Sequence, residues 1–404
     1  MNVFTSADIL LPDHTDMEKW AVIAVDQFVS QPEYWQQARA FVGDAPSTLH
    51  MVWPEAELED DAQTRITAIN RTMARYLDQQ LFRILPQSYI LVERTLQNGT
   101  VRRGVVGAVD LEHYDYTPGV NCAVRATEKT VTERIPPRVT IRQDAPIELP
   151  HVLLLCDDPG KTLIESISTE ALPLLYDFEL MQGGGRIRGW LMADQAAQNF
   201  TLKVSAYEAA AREHFAPQSP VFYAVGDGNH SLAAAKVCYE SRKQAGDPGL
   251  SRYALVELEN IHDPALEFEP IHRIIKNTDP DALLVALQAH CAPGGAPVRW
   301  FSGSWSGTVE LRLTPGQLEV GALQSFLDDY LENHPGETDY IHGDDALQEL
   351  AQQPDAIGFL LPAMEKSSLF PGILADGVLP RKTFSMGHAQ EKRYYLEARR
   401  IRES

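Results

Sequence analysis

The chain has 404 residues, 44 % of them hydrophobic, and carries 56 acidic against 35 basic residues for a net charge of −21. That apolar share excludes a disordered chain, and the length predicts two or three domains. The acid excess repels polyanions, so nucleic acid and anionic membrane surfaces are excluded as the main partner, while a local basic pocket for a small anion stays open.

The opening MNVFTSADILLPDH lacks the charged start and apolar stretch of a secretory signal. The longest apolar runs, such as HVLLLC at 151–156, are too short to cross a bilayer. Cys122, Cys156, Cys238 and Cys291 lie far apart with no CxxC pair, so reduced thiols in a cytoplasmic protein are expected, not a structural zinc site.

In chain order, WAVIAVDQFVS is an apolar run ending at Asp26, and QPEYWQQARAFVG reads as a helix with proline near its start. DDAQTRITAINRTMARYLDQQLF has the clearest helical period. Two β-rich runs flank Gln97-Asn98-Gly99 and predict a hairpin. RATEKTVTERIPPR gathers Glu128, Lys129, Glu133, Arg134 and Arg138, and Pro136 and Pro137 are expected to stop any helix there. PHVLLLCDD predicts a strand, and Gly183-Gly184-Gly185 the turn of another hairpin. RYALVELENI is a further strand, and FEPIHRII carries His272 and Arg273. Beyond residue 276 come WSGTVELRLT, a helix in GALQSFLDDYLENH, the polar turn DYIHGDD, and a tail with Arg381 and Lys382 in LPRKTFSMG. The whole reads as a mixed α/β (α+β) protein with regions 1–115, 116–275 and 276–404.

The most specific stretch is VFYAVGDGNHSLAAAKVCYE at 221–240. An apolar strand meets Gly226-Asp227-Gly228-Asn229-His230-Ser231, and a helix follows. The glycines allow close approach to the main chain, and the amides of residues 229–231 stand at a helix N-terminus, which suits an anion. Asp227 repels a phosphate unless it holds a metal ion, orients a hydroxyl or caps the helix. A plain βα turn with Asp227 or Asn229 as cap is the competing account. The chain has neither a Walker loop nor a G-x-S-x-G elbow nor HExxH, so serine-hydrolase and zincin readings have no support from the sequence.

GDGNHSLAAAK, EPIHRII, DMEKWAVIAVDQFVSQPEYW, TDYIHGDD and LPRKTFSMGHAQEKRYYLEARRI together resemble the DUF1015 family of uncharacterised bacterial and archaeal proteins, over nearly the whole chain. More remotely, the corner resembles the D-G-H-H-R of the ParB/sulfiredoxin-like free-serine kinases, which also carry an upstream H-E-x-T. That resemblance implies a ParB/sulfiredoxin-like nucleotide-binding core with N- and C-terminal α/β elaborations. It implies Glu128 as base, with Asp227 and His230 as the other catalytic groups. Thr127, Asn229 and Ser231 depart from its His, His and Arg. Phosphate binding is expected from Gly226, Gly228, Asn229 and Ser231, with Arg138, His272, Arg273 and Lys382 as further contacts. The expected activity is nucleotide-dependent phosphoryl transfer to a small hydroxyl metabolite, free serine by the resemblance, with ATP or ADP as donor and Mg²⁺ on Asp227. A phosphohydrolase on the same cradle and a non-catalytic nucleotide or anion sensor remain open.

Overall fold

The computed structural model describes residues 2–57, 62–117, 119–215 and 220–403. It divides into two compact units. Unit 1 comprises residues 1–126, 130–266 and 388–404, and unit 2 residues 127–129 and 267–387.

Unit 1 begins with β1 (Phe4–Thr5) and β2 (Ala7–Pro12), α1 (Met17–Trp20), β3 (Val22–Ile23), α2 (Pro32–Val42) and α3 (Ala62–Asp78). The first residues expected in the α3 helix, 60 and 61, lie outside the described residues. β4 (Phe82–Thr95) and β5 (Val101–Asp110) form the hairpin expected around Asn98-Gly99, with Thr95 opposite Val101 and Gly99 at φ 82°. β6 (Tyr114–Asp115) and β7 (Val124–Ala126) follow, then α4 (Ile135–Gln143). Here the expectation from Pro136 and Pro137 was wrong. Both sit in the first turn of α4, where a missing N–H costs nothing and the fixed φ is already helical. β8 (Ile147–Glu148), β9 (Leu153–Cys156), β10 (Leu174–Glu179) and β11 (Arg186–Met192) lead to α5 (Asp194–His214), β12 (Tyr223–Asp227), α6 (Asn229–Gln244) and β13 (Tyr253–Asn260).

Among the described residues these build an eleven-stranded mixed sheet in the order β10-β11-β4-β5-β13-β9-β12-β7-β6, with β1 on β5 and β2 on β4. Its strands alternate between two cores. Ile90, Val92, Val106 and Leu255 face a cluster with Trp35, Ile69 and Met73 of α2 and α3. Tyr89, Leu91, Val105 and Val256 face the other side, with Phe200 of α5 and Leu232 and Tyr239 of α6. Both faces are therefore covered, which explains why β9 reads LLLC with no polar alternation.

The unit 1 interior also holds charges. Arg393 sits between Glu257 (2.8 Å) and Glu397 (2.5 Å). Glu259 is fully buried, and its carboxyl is pushed up to about 8 by burial, with Glu257 and Asp263 adding to the effect. Arg102 Nε lies 3.0 Å from Oε1, yet neither oxygen receives a well-directed hydrogen bond among the described residues, so the ion pair does not offset desolvation. The folded state thus keeps a proton that the unfolded chain has lost, and stability falls as pH rises from about 4.5 to about 8. Glu259→Gln should flatten that slope, read as a smaller difference in Tm between pH 5.5 and pH 8.5 than in wild type. An unchanged difference would exclude Glu259 as its source.

Unit 2 runs through β14 (Phe268–Lys276), α7 (Pro280–Leu287), β15 (Cys291–Ser302), β16 (Trp305–Leu311), α8 (Glu319–Leu331), β17 (Glu337–His342), α9 (Asp344–Leu350), β18 (Ile357–Leu360), α10 (Leu369–Asp376) and β19 (Phe384–Met386). Its sheet has the order β16-β15-β18-β14-β17, with β19 on β14. Leu283, Leu323, Leu327 and Phe359 centre its core. The chain then returns to unit 1 with β20 (Tyr394–Tyr395), paired to β3, and β21 (Arg399–Arg400), paired to β8. No helix among the described residues is long and apolar enough to cross a membrane.

Candidate functional site

β12 carries the glycine corner. It pairs parallel with β7 and antiparallel with β9, and its register on β9 slips between Val225 and Asp227. Gly226 is the residue at that bulge, which re-aims Asp227. Gly228 is the N-cap of α6 in the left-handed region, at φ 81° and ψ 22°. A Cβ on Gly228 would stand 3.0 Å from Val152 Cα and 3.4 Å from His151 Cδ2, so the corner lies directly against residues 151–152. The first ladder bond of α6 runs from Leu232 N to Gly228 O, and the amides of residues 229–231 precede it.

Asp227 does not cap the helix. Its Oδ1 accepts from Gly228 N at 2.8 Å, and its Oδ2 lies 3.4 Å from Lys392 Nζ. Arg94, which donates to the carbonyls of Gln390, Glu391 and Lys392, holds that segment in place. His230 Nε2 accepts from Val131 N at 3.2 Å, which requires a ring with its proton on Nδ1 when neutral. Ser231 Oγ lies 3.3 Å from His151 Nε2, and His151 Nδ1 lies 3.0 Å from Tyr395 Oη. Val25 N donates to the same phenol oxygen.

Asp26 adds a carboxylate. Burial raises its pKa, but His151, a hydrogen bond from Gln27, Lys392 and Arg138 outweigh burial and lower it overall. A carboxylate so stabilised is a counter-ion and a poor proton acceptor. Arg138, expected on phosphate, forms an ion pair with Glu55. Beside Ser231 a cavity of about 140 Å³ is lined by Val25, Met51, Trp53, Ala234, His151 and Tyr395, among others.

The other expected residues belong to unit 2. Glu128 bridges to Leu379, and its charge acts on Arg273. Arg273 was expected as a phosphate clamp, but it is fully buried and directs four N–H bonds within the unit. They go to Gln324 Oε1 (2.7 Å), Ile271 O (2.8 Å), Lys382 O (3.0 Å) and Arg381 O (3.0 Å). Burial lowers its pKa to about 10. His272 is likewise committed. Leu361 N donates to Nδ1, so Nε2–H points at Asp344 Oδ1, 3.1 Å away. Lys382 Nζ sits 5.5 Å from the Tyr340 ring centroid, as a cation over a π face. These three hold β14, β17 and the 380–386 segment together. The side chain of Arg134 lies outside the described residues. Among the described residues no three His, Cys, Asp or Glu side chains are arranged to hold a metal, and the cysteines are free.

Asp26, His151, Lys392 and Tyr395 were missed from sequence. Each is distant in the chain from the corner; Asp26 ends an apolar run, and Lys392 and Tyr395 lie in the C-terminal motif that carries the family resemblance, with no local signal of a role at the corner.

Among solved structures, the chain is similar to a conserved hypothetical protein from Pyrococcus furiosus, at 12 % identity and TM-score 0.35, over 73 % of this chain and 94 % of that one. It is also similar to a free serine kinase in complex with AMP, at 12 % identity and TM-score 0.35, over 72 % and 90 %. A third likeness is to SbnI with a C-terminal truncation from Staphylococcus aureus, at 10 % identity and TM-score 0.36, over 70 % and 82 %. No curated protein matches. Residues 9–402 match the family described as "Protein of unknown function (DUF1015)", and the chain belongs to that family.

Proposed function

We propose that unit 1 binds the phosphates of a nucleotide at the Gly226–Ser231 corner and transfers a phosphoryl group to a small hydroxyl metabolite. The observation that carries this reading is the left-handed Gly228 opening α6 beside the Asp227–Lys392 pair. Amides at a helix start and one lysine supply positive potential where an otherwise acidic chain has little to offer. Asn229 Oδ1, buried and without a hydrogen-bond partner among the described residues, marks a polar group that a ligand would satisfy.

Such transfer rests on placement and charge neutralisation. The acceptor oxygen forms its bond to phosphorus as the bond to the nucleotide oxygen breaks. Lys392 neutralises the donor's phosphates, and Asp227 fixes Lys392. Mg²⁺ commonly takes one or two carboxylates plus substrate phosphates, so Asp227 is the residue that would hold it, and the ion would supply further charge neutralisation. His230, whose Nε2 accepts from Val131 N, stands at the same corner.

ATP and ADP, each crossed with hydroxy amino acids, test the reading. Acceptor-dependent nucleotide turnover is expected, and Lys392→Met should raise the donor KM by about tenfold or more, the loss of a charge-assisted contact. Phosphate release without acceptor would assign a hydrolase instead. Absence of both turnover and nucleotide-induced thermal shift would remove the proposal.

A further inference from the structure

The corner contains a second chemistry, built on the Ser231 side chain, that draws on the same helix-start amides. Ser231 Oγ, His151 and Tyr395 form a hydroxyl–imidazole–phenol chain, with links of 3.3 and 3.0 Å. His151 and Tyr395 are buried, at 6 % and 3 % exposure, while Ser231 is partly open. Asp26 places a negative charge against both His151 and Tyr395. The serine is the third residue of α6, just past the strand-to-helix corner, and no G-x-S-x-G surrounds it. The amides of Asn229 and Ser231 have no acceptor among the described residues. The adjoining cavity is lined by Val25, Met51, Trp53 and Ala234 and also by the charged Arg138, Arg142 and Glu148.

We infer that Ser231 is a nucleophile for acyl transfer, with His151 as its base, and that the cavity takes the acyl chain of a small carboxylic ester. In the productive tautomer Nδ1–H donates to Tyr395 Oη, leaving the Nε2 lone pair for the Ser231 proton. As the Ser231 Oγ–carbon bond forms, that proton moves to Nε2 and the carbonyl oxygen becomes an oxyanion, met by the amides of Asn229 and Ser231. The imidazolium is balanced by Asp26. Collapse expels the alkoxide, which takes the proton from Nε2 and leaves as an alcohol. Water then repeats the sequence on the acyl-serine and releases the acid. An enclosed apolar cavity of about 150 Å³ holds a benzene ring, so the volume of about 140 Å³ beside Ser231 accommodates a short acyl group more readily than a long one.

This inference does not depend on the phosphoryl-transfer reading, and its test contains no nucleotide. Wild-type protein is treated with a fluorophosphonate probe and mapped by mass spectrometry, then assayed on p-nitrophenyl butyrate and p-nitrophenyl decanoate. A single adduct on Ser231 and preference for the butyrate are expected. Ser231→Ala should lower kcat by about 10³-fold or more at unchanged Tm, since losing the nucleophile disables the whole unit. Tyr395→Phe should lower kcat with little change in KM. Absence of an adduct on Ser231, or hydrolysis retained in Ser231→Ala, would overturn the inference. His151→Gln removes a buried ring and threatens folding, so the serine variant carries the test.

Discussion

Replacing Arg393 by methionine should lower the stability of unit 1 by about 3–5 kcal/mol, the usual cost of leaving buried charge uncompensated. Arg393 is 2 % exposed and supplies the positive charge between Glu257 and Glu397, and Tyr176 donates to the second carboxylate at 2.7 Å. Methionine fills much of the same volume, so the loss is electrostatic and not a cavity effect. In a domain of this size the change corresponds to a Tm lower by roughly 6–10 °C. Adding Glu257→Gln and Glu397→Gln to the arginine variant should restore much of the loss, because neutral amides need no counter-charge. A single variant as stable as wild type would show that Arg393 does not supply this compensation. The residue also has a functional neighbourhood. Its carbonyl accepts from Ala24 N, two residues before Asp26, and it is flanked by Lys392 and Tyr394. If the proposed nucleotide site is correct, loosening Arg393 should also weaken nucleotide binding beyond what global unfolding explains, measurable by titration well below Tm.

How much of this was legible in the chain depends on the range of the contacts involved. The β4–β5 hairpin and the strand–corner–helix at 221–244 follow from local chemistry, since Gly99 and Gly228 take left-handed backbone angles that few other residues adopt. The partners of the corner do not. Asp26 and Tyr395 are brought together by β3 and β20, strands of two residues each, which are too short to show any period. His151 reaches Ser231 from the loop before β9, across 80 positions of sequence. The charged residues at 272 and 273 misled for the opposite reason. Adjacent His and Arg look like exposed ligands, yet in β14 both are buried and use their donors on neighbouring carbonyls and a carboxylate. Composition alone does not distinguish an arginine that binds a substrate from one that ties strands together.

On the proposed phosphoryl-transfer function, Gly228→Ala should reduce acceptor-dependent nucleotide turnover by about tenfold or more while costing only a modest part of the protein's stability. Alanine at φ 81° adopts the left-handed region at a cost of about 1–2 kcal/mol. Its methyl group would also stand 3.0 Å from Val152 Cα, a backbone atom that cannot rotate away, and 3.4 Å from His151 Cδ2. Relief requires the corner and the residue 151–152 segment to separate by a few tenths of an ångström or more. That movement shifts the amides of residues 229–231 and lengthens the Ser231–His151 contact, already 3.3 Å. A 1 Å displacement costs on the order of 10² in rate, so a shift of a few tenths of an ångström should cost about tenfold, because the reacting groups leave their near-attack geometry. The strain is local, with Leu232 still anchoring α6 in the core at 0 % exposure, so cooperative unfolding should persist with Tm a few degrees lower. Gly99→Ala supplies the control. Gly99 has a similar φ of 82°, but a methyl group added there would meet nothing within 4 Å, so its variant should share the backbone strain and keep full activity. Equal activity in the two variants would mean that close approach at residue 228 has no role, and that the corner is a turn and nothing more.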